Sequence, residues 1–260
     1  MSFYKKSLTT LELPAVLQML SAEAVSDTAK ELALELEPSD DVHEVRRRLE
    51  ETTAAKTMMT VRGGPGFSGV KDVRASLARA DLGGALNTRE LMDIARVLQC
   101  ARLVRGYIAD DSVGKTTIDS LFYALRANKF LEEKINTSIV GEDEIADSAS
   151  PELMSIRRQM RAAAARARDV LTKIISSPSY AKALQEPIIT MRSDRYVVPV
   201  KADHKGAVPG LVHDISASGM TLFIEPMGAV KANNELRELN AREKIEIDRI
   251  LAELSADCAE

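Results

Sequence analysis

Residues Gln185–Pro226 read QEPIITMRSDRYVVPVKADHKGAVPGLVHDISASGMTLFIEP. Within them Pro187–Met191, Tyr196–Lys201, Leu211–Ile215 and Thr221–Glu225 are short runs rich in Val, Ile and Thr, the composition of strands. Ser193-Asp194 and Ala217-Ser218-Gly219 supply turn residues between them. Pro199 has no N–H to give a ladder, so it places its strand at an edge or a bulge. The segment predicts a small antiparallel sheet, too few strands for a sandwich or barrel.

Helical patterns flank it. Leu153, Ile156, Met160, Ala163, Ala167, Val170 and Ile174 are spaced 3, 4, 3, 4, 3 and 4, which is three heptads of a coiled-coil seam. Ser148–Ser150 with Pro151 makes a helix start. A helix over Ser150–Ser176 spans roughly 40 Å at about 1.5 Å per residue. Ala163 and Ala167 let a partner approach closely. The partner is a second helix over Val230–Ala256, with Leu236, Leu239, Ile247, Ile250 and Leu254 as its apolar positions and Glu243 and Glu246 near its middle. The chain leaves along one helix and returns along the other, so the two are expected to be antiparallel, holding the sheet at their tip.

The first 150 residues predict a helical bundle. Leu11–Ala24, Ser26–Leu36, a helix capped by Ser39-Asp40-Asp41 with Val42, Val45 and Leu49 on one face, Val70–Asp81, and a long helix capped by Thr88 and running through Tyr107 follow one another. Leu91, Ile94, Leu98 and Ala101 line the buried side of the last. Ile118–Ala127 and Phe130–Ile139 complete the region. The expected fold class is mainly α with a small antiparallel β insert, divided as a helical core (1–149), a first lever helix (150–184), a β clamp (185–229) and a second lever helix (230–260).

Composition agrees: 45% apolar, 28% charged, 4% aromatic, no Trp, net charge −4 over 260 residues. Charge is uneven. Residues 151–205 carry 11 Lys+Arg against 5 Asp+Glu, whereas 206–260 carry 5 against 10. Cys100 and Cys258 stand far apart, a pattern of reducing, cytoplasmic proteins. Neither a signal peptide nor a run of about 18 apolar residues is present, so no membrane partner is expected.

Several motifs fall short of chemistry. Val113–Thr117 (VGKTT) resembles the end of a phosphate-binding loop, but Ala109 stands where the first Gly belongs, and Asp110 and Asp111 would repel phosphate. Arg62–Gly69 (RGGPGFSG) could cradle an anion or simply connect helices. His213, Asp214 and Ser216 are triad residue types, yet strand alternation puts His213 opposite the other two. His43, His204 and His213 lack ligand spacing. Glu225 reads as a salt-bridging residue. No catalytic residue, cofactor site or metal site is assigned within these residues.

Cations are the remaining signal. Arg192, Arg195, Lys201 and Lys205 surround the strands, with Tyr196 among them, and Arg161 and Arg168 extend the stripe along the preceding helix beside Arg157, Arg158 and Arg166. Spaced cations on a projecting sheet suit phosphate contacts. The same charges could instead be a solvated helix face paired with an acidic neighbour.

The residues carry a family resemblance. Asp147–Ile156 (DSASPELMSI) with Arg157-Arg158, Gln185–Ile189 (QEPII), Arg195–Lys201 (RYVVPVK), Val208–Asp214 (VPGLVHD), Ser216–Pro226 (SASGMTLFIEP), Asn233–Leu239 (NNELREL), and at the start Ser7–Leu11 and Glu44–Glu51 (EVRRRLEE) resemble the second subfamily of bacterial MutS paralogues. The resemblance covers essentially the whole chain. It implies a helical core, lever helices and a clamp, as a fragment that stops before the ATPase domain. Full-length members are implied to be homodimeric ATPases using ATP and Mg, many with a small nuclease-type domain. Implied partners are branched DNA, in suppression of homologous recombination, or stalled and collided ribosomes through rRNA. The alternative is a coiled-coil interaction scaffold that ignores nucleic acid.

Overall fold

A computed structural model describes residues 3–67, 69–108 and 114–259, with side chains from residue 6 onward. The chain is mainly helical with a small antiparallel β insert, as the sequence predicts, and it also has a separate two-stranded sheet that the sequence reading does not include. It forms two units, residues 1–146 with 251–260, and residues 147–250.

The first unit is built from α1 (Phe3–Thr10), α2 (Leu13–Glu23), α3 (Asp27–Leu34), α4 (Val42–Arg62), α5 (Arg74–Asp81), α6 (Thr88–Tyr107), α7 (Asp119–Tyr123) and α8 (Lys129–Ser138). A short hairpin, β1 (Ile139–Gly141) and β2 (Glu144–Ile145), follows. The caps are local in origin. The side chains of Ser26 and Asp41 accept backbone N–H bonds at the starts of α3 and α4. Asn87, one residue before the expected Thr88, caps α6 through a reciprocal capping box with Glu90. α6 packs on α8, and Leu91, Ile94 and Ala95 of α6 and Leu131 and Ile135 of α8 are buried. Leu98 and Ala101 are only half-buried. Arg102 grips the buried Glu132 with two bonds at 2.7 and 2.9 Å, which holds that carboxyl below its usual range. Val42, Val45 and Leu49 do share a face of α4, but it is exposed. The helix expected over Ile118–Ala127 closes after Tyr123, leaving α7 at five residues.

The second unit contains α9 (Pro151–Ile175), a four-stranded antiparallel sheet and most of α10 (Met227–Ala259). Ser150 caps α9 by accepting the Leu153 N–H at 3.0 Å, with Pro151 in the first turn. The heptad seam is where the periodicity puts it. Leu153, Ile156, Ala163 and Ala167 are buried, Met160, Val170 and Ile174 are half-buried, and Leu171 joins them fully buried. Ile156 and Ala163 pack with Leu239. The two helices run antiparallel: Ser150 meets Glu246, Arg157 meets Glu243, and Arg166 meets Glu235. Gly228 permits close approach at the other end, since a Cβ there would lie 3.1 Å from Val170 Cγ1.

The sheet comprises β3 (Thr190–Arg192), β4 (Arg195–Lys201), β5 (Gly210–Ile215) and β6 (Thr221–Pro226) in the order β3-β4-β6-β5. Val198, Val200, Leu222 and Ile224 pack with Ala167, Leu171, Ala229 and Ala232, which seats the sheet on both helices. Ser193 and Asp194 join β3 to β4 with φ of 49° and 61°, so both residues of this tight turn are left-handed. Pro199 is tolerated for a geometric reason. Its carbonyl accepts Gln185 N–H at 2.9 Å, so its missing donor faces away from β6, onto a side that β3 does not reach. The register shift in β5 falls at His213, between Val212 opposite Ile224 and Asp214 opposite Phe223.

Candidate nucleic-acid interface

The sheet is held by one buried polar cluster. Glu225, on β6, is fully buried. Its carboxylate accepts two bonds from Arg195 (2.8 and 2.9 Å), one from Asn233 Nδ2 (2.7 Å), and meets His213 Nε2 at 2.5 Å. Burial pushes the Glu225 carboxyl up, but the bonds from Asn233, His213 and Arg195 together outweigh it and hold it below the ordinary value. The charge therefore stays on the carboxylate, and Arg195 is its counter-ion. Asn233 also bonds the Tyr196 backbone, accepting its N–H at 3.2 Å and donating to its carbonyl at 3.1 Å. Asn234 accepts from Arg195 at 2.8 Å. Consecutive asparagines of α10 thus clamp consecutive residues of β4.

Chain geometry explains why a side chain does this. Val198 pairs with Ile224 and Val200 with Leu222, so continuing the register would set Tyr196 opposite Pro226. Pro226 has no N–H to donate to the Tyr196 carbonyl. Asn233 supplies the donor and acceptor that the ladder can no longer provide. Gly210 stands opposite Pro226 at the neighbouring edge, where a Cβ would lie 2.1 Å from the Glu225 carbonyl oxygen. Only glycine allows that approach.

Arg195, Tyr196 and Arg192, three of the residues expected to meet nucleic acid, are therefore already engaged. The Arg195 side chain is 13% exposed and tied to Glu225. Tyr196 is buried, and Arg168 lies over its ring at 5.2 Å. Arg192 lies over Phe223 at 4.1 Å and pairs with Asp214 at 3.2 Å. On α9, Arg161 pairs with Asp147 at 3.0 Å, Arg157 with Asp147 and Glu243, and Arg166 with Glu235. Much of that basic stripe is the paired helix face that the charge asymmetry also allowed. Lys201 and Lys205 differ. Lys201 Nζ bonds the Lys182 carbonyl, at 3.1 Å, and Lys205 is exposed. Neither has a carboxylate partner among the described residues, and neither does Lys182, which periodicity could not have drawn into the site. It is brought there because the 183–185 segment bonds along the edge of β4.

The remaining motifs resolve into structure. His213 is the bulged residue of β5 and turns to Glu225, while Asp214 pairs with Arg192 and Ser216 accepts the Thr221 N–H at 3.0 Å. The three triad residue types do not converge. Glu225 is a salt-bridging residue, as the sequence reading expected. Residues 109–113 of the phosphate-loop-like stretch lie outside the described residues. Its remainder offers no nucleotide cradle, since Thr116 bonds Asp119 through both hydroxyl and N–H at the start of α7. Ser68, within Arg62–Gly69, also lies outside the described residues; the rest of that stretch connects α4 to α5, with Tyr107 bonding the Gly63 and Met58 carbonyls. Among the described residues no group of His, Cys, Asp and Glu side chains converges to hold a metal, and no helix is long and apolar enough to cross a membrane.

The sequence is closely similar to three proteins named Endonuclease MutS2. That of Ruminiclostridium cellulolyticum is 48% identical over 257 residues, covering 98% of this chain and 32% of the relative. That of Acetivibrio thermocellus is 45% identical over 257 residues, 97% of this chain and 32% of the relative. That of Pelotomaculum thermopropionicum is 45% identical over 256 residues, 98% and 33%. The chain spans about a third of the length of these relatives. No family model matches it.

Proposed function

The chain belongs to the second subfamily of bacterial MutS paralogues, and on that premise we propose that residues 147–250 are a lever and clamp that grips nucleic acid for a larger MutS-like ATPase. The observation that carries this reading is the 48% identity over 257 residues, a span that includes both the helix pair and the sheet. The geometry supports it in two respects. The sheet packs on α9 and α10 and is tied to α10 by a buried polar network, so it can bear load. Lysines without a carboxylate partner among the described residues lie at one end of it. Branched DNA is the proposed substrate, engaged to suppress homologous recombination. Stalled or collided ribosomes present the same phosphate chemistry through rRNA and are the second target of the same surface. Dimerisation, ATP hydrolysis with Mg and strand cleavage are proposed for the longer protein, and none is assigned to the residues described here.

The scaffold alternative is less well supported. The seam of α9 is filled by α10 of the same chain, so it is not free to pair with another. Anisotropy of a labelled four-way DNA junction with the 260-residue chain tests the reading. Binding whose logarithm falls linearly with that of salt concentration is expected. Absence of binding at low salt, with a stable oligomer by sedimentation, would favour the scaffold.

A further inference from the structure

We propose that nucleic acid is met at one specific end of the sheet, with Lys182, Lys201 and Lys205 on backbone phosphates and Met220 pressed against a base or groove wall beside them. The inference rests on the nucleic-acid-gripping reading and goes further by choosing the surface. The sheet has two ends. At the end beside the second turn of α10, Arg195 and Tyr196 are tied to Asn234 and Asn233, and Arg192 to Asp214 and Phe223. That end holds the sheet together and has little charge to spare.

At the opposite end, β4 finishes at Lys201 and a short helical turn, Ala202–Ala207, carries Lys205. The connection between β5 and β6 comes alongside, because Ala202 N–H donates to the Met220 carbonyl at 3.0 Å. Lys182 arrives from a third direction. Lys201 N–H bonds the Ala183 carbonyl at 2.9 Å, and Lys201 Nζ bonds the Lys182 carbonyl at 3.1 Å. Lys182 and Lys201 are therefore neighbours here, and Lys205 follows four residues after Lys201 in the adjoining turn. Asp203 shares the turn with Lys205, and its only ion-pair partner among the described residues is His204 at 3.9 Å. The local charge remains positive.

Met220 is 67% exposed on a backbone that is firmly held. Gly219 N–H bonds the Ser216 carbonyl at 2.8 Å, Thr221 N–H bonds Ser216 Oγ at 3.0 Å, and Gly219 adopts φ of 72°. A long apolar side chain on a rigid turn next to cations is the arrangement by which proteins press a wedge against bases while phosphates are neutralised alongside. Lysines, as flexible point charges, suit phosphates without reading sequence.

The test uses the 260-residue chain and a labelled four-way DNA junction, with circular dichroism melting as the folding control. Lys182→Glu and Lys205→Glu should each weaken binding about tenfold at low salt and reduce the salt slope by about one. Met220→Ala should weaken binding severalfold with an unchanged slope, because it carries no charge. Arg192→Ala should bind as the parent does. Loss of binding from Arg192→Ala with none from the lysine variants would overturn the choice of surface while leaving the nucleic-acid reading intact, and parental binding by Met220→Ala would remove its role. A parent that binds no junction at any salt would fail the function itself.

Discussion

Asn233 hydrogen-bonds both the N–H and the carbonyl of Tyr196, at 3.2 and 3.1 Å, from a side chain with no exposed surface. An asparagine amide has the same donor and acceptor as a strand backbone, so α10 completes the ladder that β6 abandons at Pro226. The helix and sheet become one mechanical piece at this point. Any rotation of α10 within this unit is passed to β4 through bonds rather than through loose packing.

Replacing Asn233 by Ala removes that brace and leaves Glu225 short of a donor. Buried polar groups left unpaired cost about 1–3 kcal/mol each. Asn233→Ala should lower the stability of the second unit by about 2–4 kcal/mol, read as an earlier urea transition. Asn234→Ala, at an exposed position, should shift it by less than about 1 kcal/mol.

Glu225→Gln keeps the shape and deletes the charge. Arg195 is then a largely buried cation without a counter-ion, a situation that costs about 3–5 kcal/mol. The double variant Arg195→Met with Glu225→Leu should recover part of that loss, since paired removal avoids a stranded charge. A thermal melt of the two variants side by side checks the order; a double variant worse than the single would mean that the pair is more than mutual compensation.

Gly210→Ala should be among the most damaging single changes in the sheet. The added Cβ would meet the Glu225 carbonyl oxygen at 2.1 Å and Ile224 Cγ2 at 2.7 Å. Neither can retreat without breaking the β5–β6 pairing. Loss of soluble protein, or a melt lowered by more than 10 °C (about 2 kcal/mol or more for a unit of this size), is expected. Gly206→Ala, which meets nothing within 4 Å, is the control.

Acid should weaken the second unit through Glu246. Its carboxyl is held down to about 2 by hydrogen bonds from Arg249 and Ser150, against an ordinary value of 4.5. A depressed folded value means that the contribution is complete above about pH 4.5 and is lost as pH falls through the folded value near 2. Glu246→Gln should therefore lower stability at neutral pH and flatten its decline between those limits, as measured by urea midpoints across the range.

The turn at Ser193-Asp194 holds two non-glycine residues at positive φ. Asn-Gly is the preferred pair for that geometry. Ser193→Asn with Asp194→Gly should raise stability by about 0.5–1 kcal/mol without altering junction binding. An unchanged melt would mean that the turn already sits without strain.

Much of this molecule follows from local sequence rules. The heptad spacing from Leu153 to Ile174 placed α9 and most of its buried face, because periodicity decides which residues share one side of a helix. The four strand runs and their turns were legible for the same reason, since β-branched composition and turn residues act over a few positions. What local rules could not reveal was which charges remain free. Arg195 and Lys201 are six residues apart on one strand and look equivalent in a sequence, yet one is neutralised by Glu225 and the other is not. The difference comes from residues 30 or more positions away, and from a lysine at 182 that only edge pairing brings near. Ion-pair partners are set by proximity in space, where energy falls with distance, so the neutralised cations and the available ones separated only once the chain had folded.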